Sequence, residues 1–141
     1  MRKIYLVARY SKRLEMVQHA RTLESLGYII TSKWITEVYD NPTAAENYQQ
    51  AAEEDYENIS EANILLFFAE PPEASSKTGG RHVEFGIALV LDLEIFVVGP
   101  KENIFHYLDN VKHFETFDEV LYFLENRMNV IKTGKVKYDK I

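Results

Sequence analysis

With 141 residues, 46% of them hydrophobic, the chain has the length and apolar content of one ordinary domain with a real core. Its 16 Lys+Arg against 22 Asp+Glu leave a formal charge of −6, which argues against non-specific binding to nucleic acid or to an anionic membrane surface but leaves room for a local phosphate site. There is no cysteine, so a disulfide framework, a thiolate metal site and a cysteine nucleophile are excluded.

Residues 3–8 (KIYLVA) form a short apolar run suited to a buried strand. The run is too short for the apolar core of a signal peptide, and no stretch approaches the ~18 apolar residues of a membrane span, so a soluble cytoplasmic protein is expected. Ser11 offers an N-cap for a helix reaching about Leu26, where Gly27 stops it; Leu14, Val17, Ala20, Leu23 and Leu26 keep the helical period. Residues 28–34 (YIITSKW), rich in β-branched and aromatic side chains, predict a second parallel strand. Asn41-Pro42 marks a turn, and Thr43 can cap a helix over residues 44–62 in which Asp55, Ile59 and Ala62 share a face.

The unbroken run ILLFFA at 64–69 is typical of a central strand covered on both faces, and Glu70-Pro71-Pro72 ends it. A loop over 73–80 leads into a helix from about Arg81 to Leu91, followed by a buried strand at 94–98 closed by Gly99-Pro100. Residues 103–110 (NIFHYLDN) are irregular or helical, 111–115 predict a short strand, and 117–128 a helix with Phe117, Val120, Leu121, Leu124 and Met128 on one face. Residues 129–141 are basic and weakly patterned, a tail or a packed arm, which places the domain at 1–128.

Strands alternating with helices predict an α/β protein: a flavodoxin-like open five-stranded parallel sheet with helices on both faces, because parallel strands need crossovers. Ligands of such sheets sit beyond the carboxyl ends of the strands where the strand order switches, which gathers the turn at 9–11, the loop at 70–80 and the start of the third helix.

That region contains the stretch SSKTGGRHVEFGIALVL. Glycines before a helix let backbone approach a ligand, and the free N–H groups of a first helical turn attract anions, so Thr78, Gly79 and Gly80 are candidate ligand contacts. The stretch is neither a P-loop nor the GxGxxG dinucleotide fingerprint. Glu84 reads either as a partner of the helix dipole or, since Val83, Phe85, Ile87, Ala88 and Leu91 mark its helix as largely buried, as a nucleophile or general base held at a crowded edge. His82 is a surface residue at the helix start, a phosphate donor or a proton carrier, and Trp34 packs in the core or stacks on a base. His106 and His113, with Asp109 between them, lack a compact ligand spacing, and no metal is expected. Taken alone, Glu53-Glu54-Asp55 is a solvated helix face.

Several of these residues stand in a pattern that resembles the nucleoside 2-deoxyribosyltransferase family and its relatives, the 2′-deoxynucleoside 5′-phosphate N-hydrolases, over roughly residues 3–126. The matching features are Ile4-Tyr5 in the first strand, Asp55 in the helix ahead of SEANILLFF, and the glycine loop leading to VEFGIAL with Glu84. The resemblance implies Glu84 as the nucleophile that attacks the anomeric carbon, Tyr5 as the group orienting it, and Asp55 as the second acid of the pocket. It also implies Asn110, in LDNV, as a contribution to a neighbouring subunit's sugar site, hence a homodimer or larger assembly, with a nucleoside or nucleotide as substrate and no metal or organic cofactor. The chain departs from the transferases where they carry a further Asp before the glycine loop; here the region reads EASSKTGG, with Thr78 near that place. Such a loop, with Arg9, Lys77, Arg81 and His82, suits a phosphate and tilts the expectation toward a nucleotide-level N-glycosidase over base exchange. A nucleotide-binding or sensing module without turnover and an NAD glycohydrolase-like activity are the alternatives.

Overall fold

The computed structural model describes residues 2–37, 45–74 and 79–134. In chain order the elements are β1 (Lys3–Val7), α1 (Arg13–Ser25), β2 (Ile29–Ile30), α2 (Ala45–Ser60), β3 (Ile64–Phe68), α3 (Gly80–Val90), β4 (Glu94–Val98), β5 (Val111–Phe114) and α4 (Phe117–Thr133), with short 3-10 turns between them. The strands form one sheet in the order β2-β1-β3-β4-β5, every pair parallel. This is the flavodoxin-like arrangement, with its switch point between β1 and β3.

Period-2 alternation sorts the strand side chains onto two faces. Ile4, Leu6, Leu66 and Phe96 pack under Met16, Ala20 and Leu23 of α1 and Val120 and Leu124 of α4. Tyr5, Val7, Leu65, Phe67, Ile95 and Val97 pack under Ile59 of α2 and Phe85 and Ala88 of α3. Every residue of β3 is buried, as its unbroken apolar run requires. Among the described residues no helix is long and apolar enough to cross a membrane.

Three local expectations change. The first helix begins not on a Ser11 cap but through a 3-10 turn, Tyr10–Lys12, whose N-cap is Arg9. That entry sets the phase of α1 so that Met16 is buried and Leu14 is 68% exposed, although Leu14 fits the helical period. The second strand has two residues instead of seven, because side chains replace its ladder. Ser32 Oγ accepts the N–H of Leu6 at 3.1 Å and the Trp34 indole N–H donates to the Leu6 carbonyl at 2.8 Å. With both backbone groups of Leu6 satisfied, residues Lys33–Thr36 are free to turn as a 3-10 helix. The last helix passes residue 128 and ends at Thr133, where Gly134 adopts φ 72°, the left-handed cap that glycine accepts without strain. The proposed cap Thr43 lies outside the described residues.

Candidate active site

At the carboxyl ends of β1 and β3 a cavity of about 430 Å³ is lined by Ala8–Ser11 at the end of β1, by Trp34, by Ala51 and Asp55 of α2, and by Gly80, Arg81 and Glu84 of α3. This is the crevice that the strand order predicts. Gly79, at φ 74°, turns the chain into α3 with the left-handed backbone that a side chain disfavours. The turn brings the first residues of the helix to the cavity wall and sets Glu84 one turn further in.

Tyr5 is fully buried beneath this wall, and its hydroxyl donates to Glu84 Oε2 at 2.7 Å. The Asp55 carboxyl interacts electrostatically with both partners, so β1, α2 and α3 each contribute one side chain to a single cluster. Burial raises the proton affinity of all three. Glu84 is pushed up to about 8, chiefly by burial and further by the charge of Asp55, against the opposing bond from Tyr5. Asp55 is pushed up to about 6, again chiefly by burial, with its interactions with Glu84 and Tyr5 opposing. Tyr5 is raised well above an ordinary phenol by burial and by the two acids, so it remains a donor throughout the physiological range. Two carboxyls at these positions hold one proton between them near neutrality, which is the stoichiometry of one acid and one base.

A second, charged layer surrounds the cluster. Both terminal nitrogens of Arg81 bind Glu102, at 2.7 and 2.9 Å, and each partner is less than one-tenth exposed. Glu70, 2% exposed, faces Lys12 at 3.1 Å and Arg9 at 3.5 Å. Arg9 and Lys12 are themselves more than a third exposed beside the cavity mouth.

The residues singled out by sequence therefore separate. Tyr5, Asp55 and Glu84 meet in one cluster, while Arg9, Trp34, Gly80 and Arg81 line the cavity next to them. Gly79 forms the turn above. Arg81 is not a free fork for an anion, because Glu102 occupies both of its terminal nitrogens. His82 turns away toward Asn103 at 3.3 Å and Glu102 at 3.5 Å and is not among the cavity-lining residues. Asn110 is exposed at the amino end of β5, the end of the sheet opposite the cavity. Thr78 and Lys77 lie outside the described residues. His106 and His113 join each other through a ring nitrogen of His113 and the His106 carbonyl. No group of three or more acidic or histidine side chains suited to a metal occurs among the described residues.

Sequence reasoning missed Tyr10, Glu70 and Glu102. Tyr10 lines the cavity with its ring centroid 6.4 Å from that of Trp34, and its hydroxyl donates to the Glu37 carbonyl. Its place directly after Arg9 in the first βα turn is a usable signal. Glu70 reads in sequence only as the residue before two prolines, and Glu102 as one acid in a polar loop.

No protein-family model matches the chain, and no curated protein matches it. Solved structures do. The chain is similar to the CMP N-glycosidase BcmB of Clostridium botulinum at 22% identity and TM-score 0.59, over 88% of this chain and 98% of that one. It is similar to a 2-deoxyribosyltransferase of Bacillus psychrosaccharolyticus at 23% identity and TM-score 0.63, over 84% of this chain and 89% of that one. A third match is BlsM, at 15% identity and TM-score 0.59, over 99% of this chain and 98% of that one. The fold of this chain is thus the flavodoxin-like fold on which a CMP N-glycosidase and a 2-deoxyribosyltransferase are built, in agreement with the family resemblance carried by Ile4-Tyr5, Asp55 and VEFGIAL.

Proposed function

We propose that this protein cleaves the N-glycosidic bond of a nucleoside 5′-monophosphate, with Glu84 as nucleophile. The observation that carries the reading is the Tyr5–Glu84–Asp55 cluster at the cavity wall, two carboxyls of split proton affinity tied to one buried phenol. The solved N-glycosidase and deoxyribosyltransferase of the same fold support it.

At rest the proton of the carboxyl pair sits on Glu84, the more basic of the two; the reactive form is the one in which it has passed to Asp55, leaving Glu84 ionised with its charge favoured by the Tyr5 hydroxyl. Glu84 attacks the anomeric carbon as the C–N bond breaks. The bonding pair leaves with the base, which takes the proton of Asp55, and the sugar is left as an ester of Glu84. Water then attacks the same carbon, gives its proton to the Asp55 carboxylate, and releases Glu84 and the sugar 5-phosphate. Hydrolysis is favoured over base exchange by the absence of the transferases' loop aspartate from EASSKTGG. Arg9 and Lys12, with the Ser11 hydroxyl, are the phosphate donors of this reading; the phosphate competes with Glu70 for both cations. Trp34 and Tyr10 offer the base an aromatic wall. The substrate is a small molecule, and no cofactor enters any step.

A homodimer or larger assembly belongs to the same reading. Val83 and Val90 of α3 are 64% and 84% exposed, and Ile104, Phe105 and Tyr107 ahead of β5 are 76%, 53% and 66% exposed, apolar side chains that a partner subunit would cover. Light scattering on the purified chain is expected to give a mass at least twice the 16.4 kDa of one chain.

The deciding experiment incubates the protein with ribo- and deoxyribonucleoside 5′-monophosphates and the corresponding nucleosides and follows free base by chromatography. Release from at least one monophosphate, lost in Glu84→Gln, is expected, with a sugar phosphate adduct on the peptide containing Glu84. Tight binding of a nucleotide without release of base from any of them would favour the sensing module and overturn the enzyme.

A further inference from the structure

Arg81 and Glu84 stand three residues apart on α3, so their side chains are neighbours on the helix surface, and both line the same cavity. A guanidinium in that position forks readily onto the nearest carboxylate. Here it is taken by a different one. Glu102, 21 residues further along the chain, holds both terminal nitrogens of Arg81.

Glu102 is itself fixed from two further directions. Its Oε2 also accepts the backbone N–H of Glu70 at 2.9 Å, which ties it to the end of β3. Its own backbone N–H donates to Nδ1 of His106 at 3.0 Å. That imidazole is fully buried, with ring centroids 5.0 Å from Phe67 and 4.7 Å from Phe85. Because Nδ1 accepts a hydrogen bond and burial pushes the group down to about 4, His106 stays neutral and gives Glu102 a backing of constant charge.

We propose that Glu102 is a positioning residue that diverts Arg81 away from Glu84, so that the nucleophile faces Tyr5 and Asp55 instead of an ion pair. This rests on Glu84 being the nucleophile. A carboxylate clamped by a guanidinium has its lone pairs occupied and its charge offset, and is a poor attacking group. The ionisable groups facing Glu84 are Tyr5 from β1, Asp55 from α2 and Arg81 from its own helix, while Glu37 and Glu54 act on Asp55. Neutralising Glu102 frees Arg81 to close onto Glu84, three positions along.

The test follows the Glu84 carboxyl by 13C NMR, its signal identified by loss in Glu84→Gln, together with kcat and KM on a hydrolysed monophosphate. In Glu102→Gln the Glu84 titration midpoint is expected to fall by at least about one pH unit, a tenfold change in acidity. On the same variant kcat falls ~10–100-fold with KM changed less than about threefold, the signature of a defect in the chemical step. The double variant Arg81→Met/Glu102→Gln removes the freed cation as well and is expected to bring kcat back to within about fivefold of wild type. A role that is merely structural predicts the reverse, a double variant no better than Glu102→Gln. Should Glu102→Gln not fold, Glu102→Asp, which keeps the charge but shortens the reach, is expected to move the midpoint and kcat in the same directions by less. A midpoint unmoved in whichever single variant folds, a moved midpoint with unchanged kcat, or a double variant without rescue overturns the proposal. The NMR arm needs no substrate, so a protein that releases no base fails the glycosidase reading while the diversion of Arg81 is still decided.

Discussion

Replacing Glu84 by glutamine is expected to stabilise the protein, and to do so only above the ordinary carboxylate range. The amide keeps an acceptor for the Tyr5 hydroxyl and offers Asp55 a donor, so the substitution removes a charge without orphaning a partner. The sign follows from linkage. In the folded protein Glu84 holds its proton up to about 8 against 4.5 in the unfolded chain, so the native state binds the proton more tightly. Stability from this group is complete below the unfolded value and is lost as pH rises through the folded one. At about 1.4 kcal/mol per pKa unit, the wild-type fold carries a penalty with a ceiling of ~5 kcal/mol once Glu84 is ionised. The variant and wild type should therefore differ by no more than ~0.5 kcal/mol near pH 4, with the variant ahead by ~2–5 kcal/mol near pH 9. Urea unfolding at intervals across this range measures it; with m near ~1.5 kcal/mol/M, the midpoint gain at the alkaline end is ~1–3 M at constant m. Parallel stability curves for the two proteins from acid to alkaline pH would refute the reasoning, since Glu84 would then titrate as an ordinary exposed carboxyl.

Three further outcomes are expected. Tyr5→Phe removes a charge-assisted bond worth ~1.5–3 kcal/mol, lowering kcat/KM on the hydrolysed nucleotide ~10–150-fold near neutrality. Because that bond favours ionised Glu84, its loss raises the carboxyl further, and the deficit should narrow as the assay pH rises; a constant deficit would count against the assignment. Arg9→Gln should raise KM for a monophosphate ~10-fold or more and leave the matching nucleoside within about twofold, measured in steady-state kinetics on both. Gly79→Ala should lower stability by ~1–2 kcal/mol in urea unfolding through backbone strain alone, since φ is 74° and no heavy atom lies within 4 Å of the added carbon.

Much of the fold was legible because parallel α/β sheets write themselves in unbroken apolar strands and amphipathic crossovers. ILLFF and EIFVV became β3 and β4 at the positions their composition predicts. The failures have local physical causes. Residues 28–34 carry a strand composition, yet Ser32 and Trp34 spend their side chains on Leu6 and end the ladder after Ile30. Leu14 fits the helical period, but the entry turn at Tyr10–Lys12 rotates it outward. At the site, Tyr5, Asp55 and Glu84 lie on three elements, and composition alone assigns each an ordinary role; the family resemblance drew them together. Arg81 was read as an anion ligand because its partner Glu102 lies in a later loop, and a contact made by folding leaves no periodic trace.

The indole of Trp34 closes the β1 ladder from the cavity wall, and it is the chain's one tryptophan. The protein therefore carries an intrinsic optical probe at a single address. Emission excited beyond the tyrosine absorption band reports on the polarity around one ring whose N–H is pinned to Leu6, so a base arriving against that ring can be titrated by quenching, free of background from any other indole and without a label.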